Sequence, residues 1–229
     1  MPKSSPFAPP LFEFLADLGA HNDRKWFDKN KARYEAEVRE PALEFIRRMA
    51  PHLAKISEHF LAVDNKVGGS LMRVHRDTRF GKDKTPYKTN VGIQFRHDAG
   101  KDVHAPGFYV HLEVSSCFLA AGMWRPEPEA LAAIREAIAG DPAGYRRVRD
   151  GKPFRRLFAF EGESLLRPPK GYDADHPLID DLRRKDHIAV HHIDAADVLS
   201  PDFVDTVAKK FKATAPFMRW LCAAVDVAF

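Results

Sequence analysis

Between Arg73 and Asn90 the chain reads RVHRDTRFGKDKTPYKTN, which sets six Lys/Arg side chains and one histidine against two acids. Arginine forks grip phosphate or carboxylate with two bonds, and lysine adds a point charge. Arg73, Arg76, Arg79, Lys82, Lys84 and Lys88 are therefore candidate ligands for an anion. His75 and Asp77 lie among them and have the chemistry of a proton shuttle or base, the weakest form of a catalytic pair. Tyr87 and Trp26 offer ring faces on which a base or sugar could rest. A phosphorylated small molecule and a nucleic acid both fit this charge. Residues 71–97 carry seven Lys/Arg and two acids, so the remainder of a chain of net charge +4 sums to about −1. That distribution disfavours nucleic acid, whose binders spread positive charge more widely.

The same cations have a non-catalytic reading. Glu35, Glu37, Glu40 and Glu44, on an expected helix, are available to neutralise them and pin the turn. The protein would then be a structural or protein-interaction domain, with no feature that names its partner. No residue set specifies a reaction, so whether the protein is an enzyme stays open.

A second constellation is His111-Leu112-Glu113. On a strand, residues two apart share a face. With a distant His176, His187, His191 or His192, the pair could form a facial triad for a metal. The alternative is a pair of polar residues on the wet face of an antiparallel sheet, which leaves no metal or other cofactor expected. Other motifs fail on their own chemistry. The HRD at 75–77 is followed by Lys82 where a kinase loop needs asparagine. The GK at 81–82 lacks both the upstream glycine and the hydroxyl of a phosphate loop.

These residues need elements to hold them. Leu11, Phe14, Leu15 and Leu18 recur at helical spacing before Gly19, and Asn22 is placed to cap a second helix carrying Phe27, Tyr34 and Val38. Pro41 restarts that helix, with Phe45, Ile46, Met49 and Leu53 inward. The period then drops to two. Residues 71–76, 90–95, 107–114 and 117–124 read as strands, the last two forming a hairpin across Ser115-Ser116. Phe108, Val110 and Leu112 fall on one face of the third strand, and Tyr109, His111 and Glu113 on the other. Arg73, His75, Tyr109 and His111 would then share the polar face. Helices are expected after Pro126, at Asp141-Pro142, around 177–184, after Ser200-Pro201 and from Thr214, with a short strand over 187–193. The expected architecture is a loose tail over 1–10 and a single α+β domain over 11–229. Its mostly antiparallel sheet lies mid-chain, flanked by N-terminal and C-terminal helices.

The two cysteines, Cys117 and Cys222, match no disulfide or zinc spacing. No apolar run approaches the length of a membrane span, and the first twenty residues lack a secretory core. The expected location is cytoplasmic.

Six stretches carry a family resemblance: residues 22–41, 73–90, 107–113, 118–131, 168–185 and 211–221. In this order, and above all in RDTRFGKDKTPYK, the chain resembles the domain of unknown function 2461 family, a set of conserved hypothetical proteins. It departs from the family's pattern at Ala120-Ala121, before Gly122, where more glycine is usual. The resemblance implies a single domain and brings with it no activity or catalytic residues.

Overall fold

The computed structural model describes residues 4–65, 67–79, 83–100 and 104–229. Helices α1 (Pro10–Ala20), α2 (Arg24–Lys29), α3 (Lys31–Arg33) and α4 (Glu40–Leu53) come first, with a π-helical turn over Tyr34–Arg39 before α4. Strands β1 (Asn90–Arg96), β2 (Gly107–Glu113) and β3 (Cys117–Met123) follow, then α5 (Pro128–Gly140), α6 (Pro142–Arg149), α7 (Lys152–Leu157), β4 (Ala159–Glu161) and α8 (Ile179–Leu182). Strand β5 (His187–Ile193) and helices α9 (Ala195–Leu199), α10 (Phe203–Ala213) and α11 (Ala215–Ala224) complete the order. The five strands form one sheet in the order β1-β2-β3-β5-β4. Each neighbouring pair is antiparallel. The fold is α+β.

Local chemistry accounts for most boundaries. Leu11, Phe14, Leu15 and Leu18 form the buried stripe of α1, which runs through Gly19 to Ala20. Asp23, not Asn22, caps α2, its carboxylate accepting the Trp26 N–H at 2.9 Å. Asn22 is used elsewhere. Its amide donates to the Tyr87 carbonyl at 3.0 Å and accepts the Tyr87 N–H at 3.1 Å, so it stands in for a strand neighbour. Pro41 falls in the first turn of α4, where a missing N–H leaves no bond unmade. Just before it, the Glu40 N–H reaches back five residues to Glu35, the widened turn of a π-helix. Helix α10 opens at Phe203 rather than directly after Pro201, and the Ser200 hydroxyl accepts from the Asp202 N–H at 3.3 Å.

Residues 71–76 depart from the expected strand. Among the described residues they make only isolated bridges, Leu71 to Ile93 and His75 to Tyr87. The Arg76 N–H donates to Pro86 and the Lys88 N–H to Val74, but Pro86 has no N–H with which to extend the ladder.

Strand alternation sorts the sheet into two faces. Ile93 and Phe95 of β1, Phe108, Val110 and Leu112 of β2 and Leu119 of β3 are fully buried beneath the helices. Phe45 of α4 packs on Phe95 with ring centroids 6.3 Å apart, and Phe211 of α10 on Phe108 at 4.7 Å. Cys117 and Cys222 are free thiols in this interior. The opposite face presents Asn90 and Gln94 from β1, Tyr109, His111 and Glu113 from β2, and Phe118 from β3. Among the described residues, no helix is long and apolar enough to cross a membrane.

Candidate functional site on the open face of the sheet

A cavity of about 500 Å³ lies over that second face. Its floor comes from Tyr109, His111, Phe118, Ala120 and Ile188, and Met72, Lys88 and Trp124 help to wall it. A mostly apolar hollow of this size with a few convergent polar groups suits a small ligand.

The polar groups converge on His111. Its Nε2 lies 3.3 Å from Glu113 Oε2 and its Nδ1 3.0 Å from the Tyr109 hydroxyl, with the Asn90 amide nitrogen at 3.5 Å from the same Nδ1. The imidazole lies parallel to the Phe118 ring at 4.6 Å. Glu113 is held in turn by the Thr89 hydroxyl, which donates to Oε1 at 3.1 Å. An ionised carboxylate only accepts, so Nε2 carries the proton and Nδ1 accepts from Tyr109. Burial pushes the Tyr109 phenol up to about 12, with the Glu113 charge adding to the effect. Burial also lowers the His111 pKa, against an opposing pull from Glu113.

Gly92 makes room for this arrangement. A Cβ there would stand 2.7 Å from the Tyr109 hydroxyl and 2.8 Å from Met72 Sδ. Both are far ends of side chains, so Gly92→Ala is expected to fold and to push the tyrosine aside. The amide resonances of Tyr109 and His111 should shift while those of α10 stay in place; unchanged spectra around Tyr109 would refute the close fit.

Lys88 is the cation that reaches the cavity. It is half-buried, and among the described residues its ammonium has no hydrogen-bond or ion-pair partner. Burial lowers its pKa first, and the nearby charges of Arg73 and Arg76 lower it further.

The rest of the basic stretch is arranged differently. Arg79 makes a two-pronged contact with Asp77, at 3.0 and 2.7 Å, which holds that carboxyl well below the usual carboxylate range. Arg76 pairs with Asp83, and the Lys84 ammonium donates to the Thr78 carbonyl at 2.8 Å. Arg73 and His75 are exposed. Tyr87 is only 3% exposed and stacks on Phe27 at 4.1 Å, so its ring belongs to the core. Trp26 packs beside Phe14 at 5.7 Å and His21 at 5.8 Å, away from the cavity lining. Lys82 lies outside the described residues. The helix carboxylates serve their own neighbourhood: Glu35 pairs with Arg39, Glu37 with Arg33, Glu40 with Arg47 and Glu44 with Arg48.

For a metal, His111 and Glu113 find no third ligand of the kind envisaged. His187 and His191 lie on the opposite face of β5, the His192 Nε2 donates to Glu161 at 2.8 Å, and the His176 Nδ1 accepts the Leu178 N–H at 3.1 Å. Among the described residues, the group with ligand atoms close enough to share an ion is His59, His97 and Asp98. There the His97 nitrogens already bond the Ala228 carbonyl at 2.7 Å and the Ala99 N–H at 3.1 Å. That cluster works as a hydrogen-bonded clamp on the C-terminal residues.

The sequence profile described as conserved hypothetical protein (DUF2461) matches residues 10–220. The chain belongs to that family. Comparison of this DUF2461 chain with curated proteins and with solved structures returned no match. Met72, Phe118, Trp124 and Ile188, which build much of the cavity, were not singled out by sequence reasoning. Only the two-residue alternation along β2 and β3 points to Phe118 as a neighbour of His111.

Proposed function

We propose that the protein binds a small, largely apolar molecule bearing one anionic group in the cavity over the open sheet face, with Lys88 as the counter-charge. The observation that carries this reading is a half-buried ammonium with no partner among the described residues, facing a hollow of about 500 Å³. Partial burial weakens the hydration of that ammonium, and an anion beside it restores what burial removes. Arg73 and Arg76 add positive potential at the same point. A concave site with aromatic walls favours a compact guest over a polymer, and the pairing of Arg76 and Arg79 with aspartates leaves little charge to track a nucleic-acid backbone.

Two dyes of one ring system test this: anilinonaphthalene sulfonate, which is anionic, and phenylnaphthylamine, which is neutral. The sulfonate is expected to bind the folded protein more tightly. Lys88→Met should weaken it about tenfold, the scale of one charge-assisted hydrogen bond, and leave the neutral dye unaffected. Equal loss of both dyes, or binding of neither, would remove the reading.

A further inference from the structure

The polar cluster in the cavity floor is more than a satisfied set of strand residues. Three groups from one strand, two residues apart each time, form a line from the cavity toward solvent, with Asn90 and Thr89 joining it from the side. Tyr109 and His111 both line the hollow, and Glu113, about a third exposed, ends the line. The tautomer is fixed from the solvent end: the carboxylate accepts a hydrogen bond from Nε2–H, which leaves the Nδ1 lone pair for the tyrosine hydroxyl. Having given its hydrogen to His111, the Tyr109 oxygen still has lone pairs to offer. Phe118 against the imidazole and Gly92 beneath the hydroxyl keep both rings in place.

We infer that Tyr109, His111 and Glu113 are a proton relay that removes an acidic proton from the molecule seated in the cavity. This rests on the binding reading above. In the step, a C–H or N–H bond of the guest breaks and its proton passes to Tyr109 Oη. The original tyrosine proton moves to His111 Nδ1, and the Glu113 carboxylate stabilises the imidazolium. The electron pair stays on the guest, where its electron-withdrawing group takes up the new negative charge. Redelivery of the proton to another atom completes an isomerisation, and loss of a leaving group completes an elimination. The substrate class is thus a largely apolar molecule with an anionic group for Lys88 and a proton made acidic by a neighbouring electron-withdrawing group. Tyr109 touches the guest; Glu113 is a positioning residue.

Nitrobenzisoxazole is a suitable probe. Removal of the C–H proton of its isoxazole ring forms a nitrile as the N–O bond breaks, giving a coloured phenolate with no other reactant. The protein is expected to open it about 100-fold faster than free imidazole at equal concentration, the lower range of positioned acid–base catalysis. Tyr109→Phe and His111→Gln should each abolish that advantage, and Glu113→Gln should reduce it about tenfold. Binding of phenylnaphthylamine, retained in all three variants, would show that each still folds around its cavity. Nitrogen NMR of His111 supplies a readout beyond rate: Nε2 protonated and Nδ1 bare. If the wild-type protein binds the dye yet is no faster than imidazole, or if His111 holds the opposite tautomer, the relay is overturned and the binding site stands. Full activity in Tyr109→Phe also overturns it. If neither dye nor probe is bound, the binding reading itself has failed.

Discussion

Gly122→Ala should lower the melting temperature by roughly 10 °C, the shift that about 3 kcal/mol produces in a chain of this size. Gly122 sits inside β3 with φ of +136°, a conformation in which a side chain is strained. It is also pressed against the neighbouring strand. A Cβ would stand 2.0 Å from the His187 carbonyl oxygen and 2.9 Å from Ile188 Cα. Both atoms belong to the backbone of β5, so no rotamer change relieves the clash. The strands must part instead, at an inner seam of the sheet where Gly122 pairs with Ile188. Gly140→Ala is the matched control, because a Cβ at the end of α5 meets nothing within 4 Å. Thermal unfolding followed by circular dichroism reads both. Equal melting temperatures for the two variants would refute the assigned crowding.

His187→Leu should flatten the acid limb of the stability curve. His187 is fully buried, and neither ring nitrogen has a hydrogen-bond partner among the described residues. Burial, and then the cations of Arg184 and Arg135, hold its pKa down to about 3 against an ordinary 6.5. Between those values the unfolded chain binds a proton that the folded chain refuses. The stabilisation is therefore complete above pH 6.5 and is lost as pH falls toward 3, at up to about 1.4 kcal/mol per pH unit. Urea titrations at about pH 6.5 and about pH 5 should show the wild type losing about 2 kcal/mol more than the leucine variant. At neutral pH the variant should be at least as stable, since it removes buried polar atoms that bond to nothing. Parallel losses in the two proteins would place the acid sensitivity elsewhere.

How far the sequence discloses this molecule depends on how local each feature is. The period-two pattern along 107–113 needs no distant partner, and it places Tyr109, His111 and Glu113 on one face as the sheet has them. The antiparallel sheet and its flanking helices follow from the same short-range signals. Residues 71–76 alternate in the same way and yet form no ladder, because Pro86 lies opposite and breaks the hydrogen-bond pattern from the other side. Tyr87 turns inward through Asn22, sixty-five positions away in the chain, to stack on Phe27. No window of sequence holds both partners. Lys88 resembled its basic neighbours, and what distinguishes it is only that the hollow opens beside it. The cavity walls come from Met72, Lys88 and Trp124 and from β1, β2, β3 and β5, so their assembly is visible only once register and topology are known.

The stretch that walls the cavity has a second consequence. Strand β1 ends the sheet, and its outer edge is met by the Met72 N–H on Gly92, the Ser70 carbonyl on Gln94 and the Leu61 N–H on Arg96. A bare strand edge is a template for another chain. Loosening residues 70–72 would uncover the hydrogen-bonding groups of Gly92 and Gln94, which a neighbouring copy could take. Resistance to clumping therefore depends on keeping these three residues in place along β1.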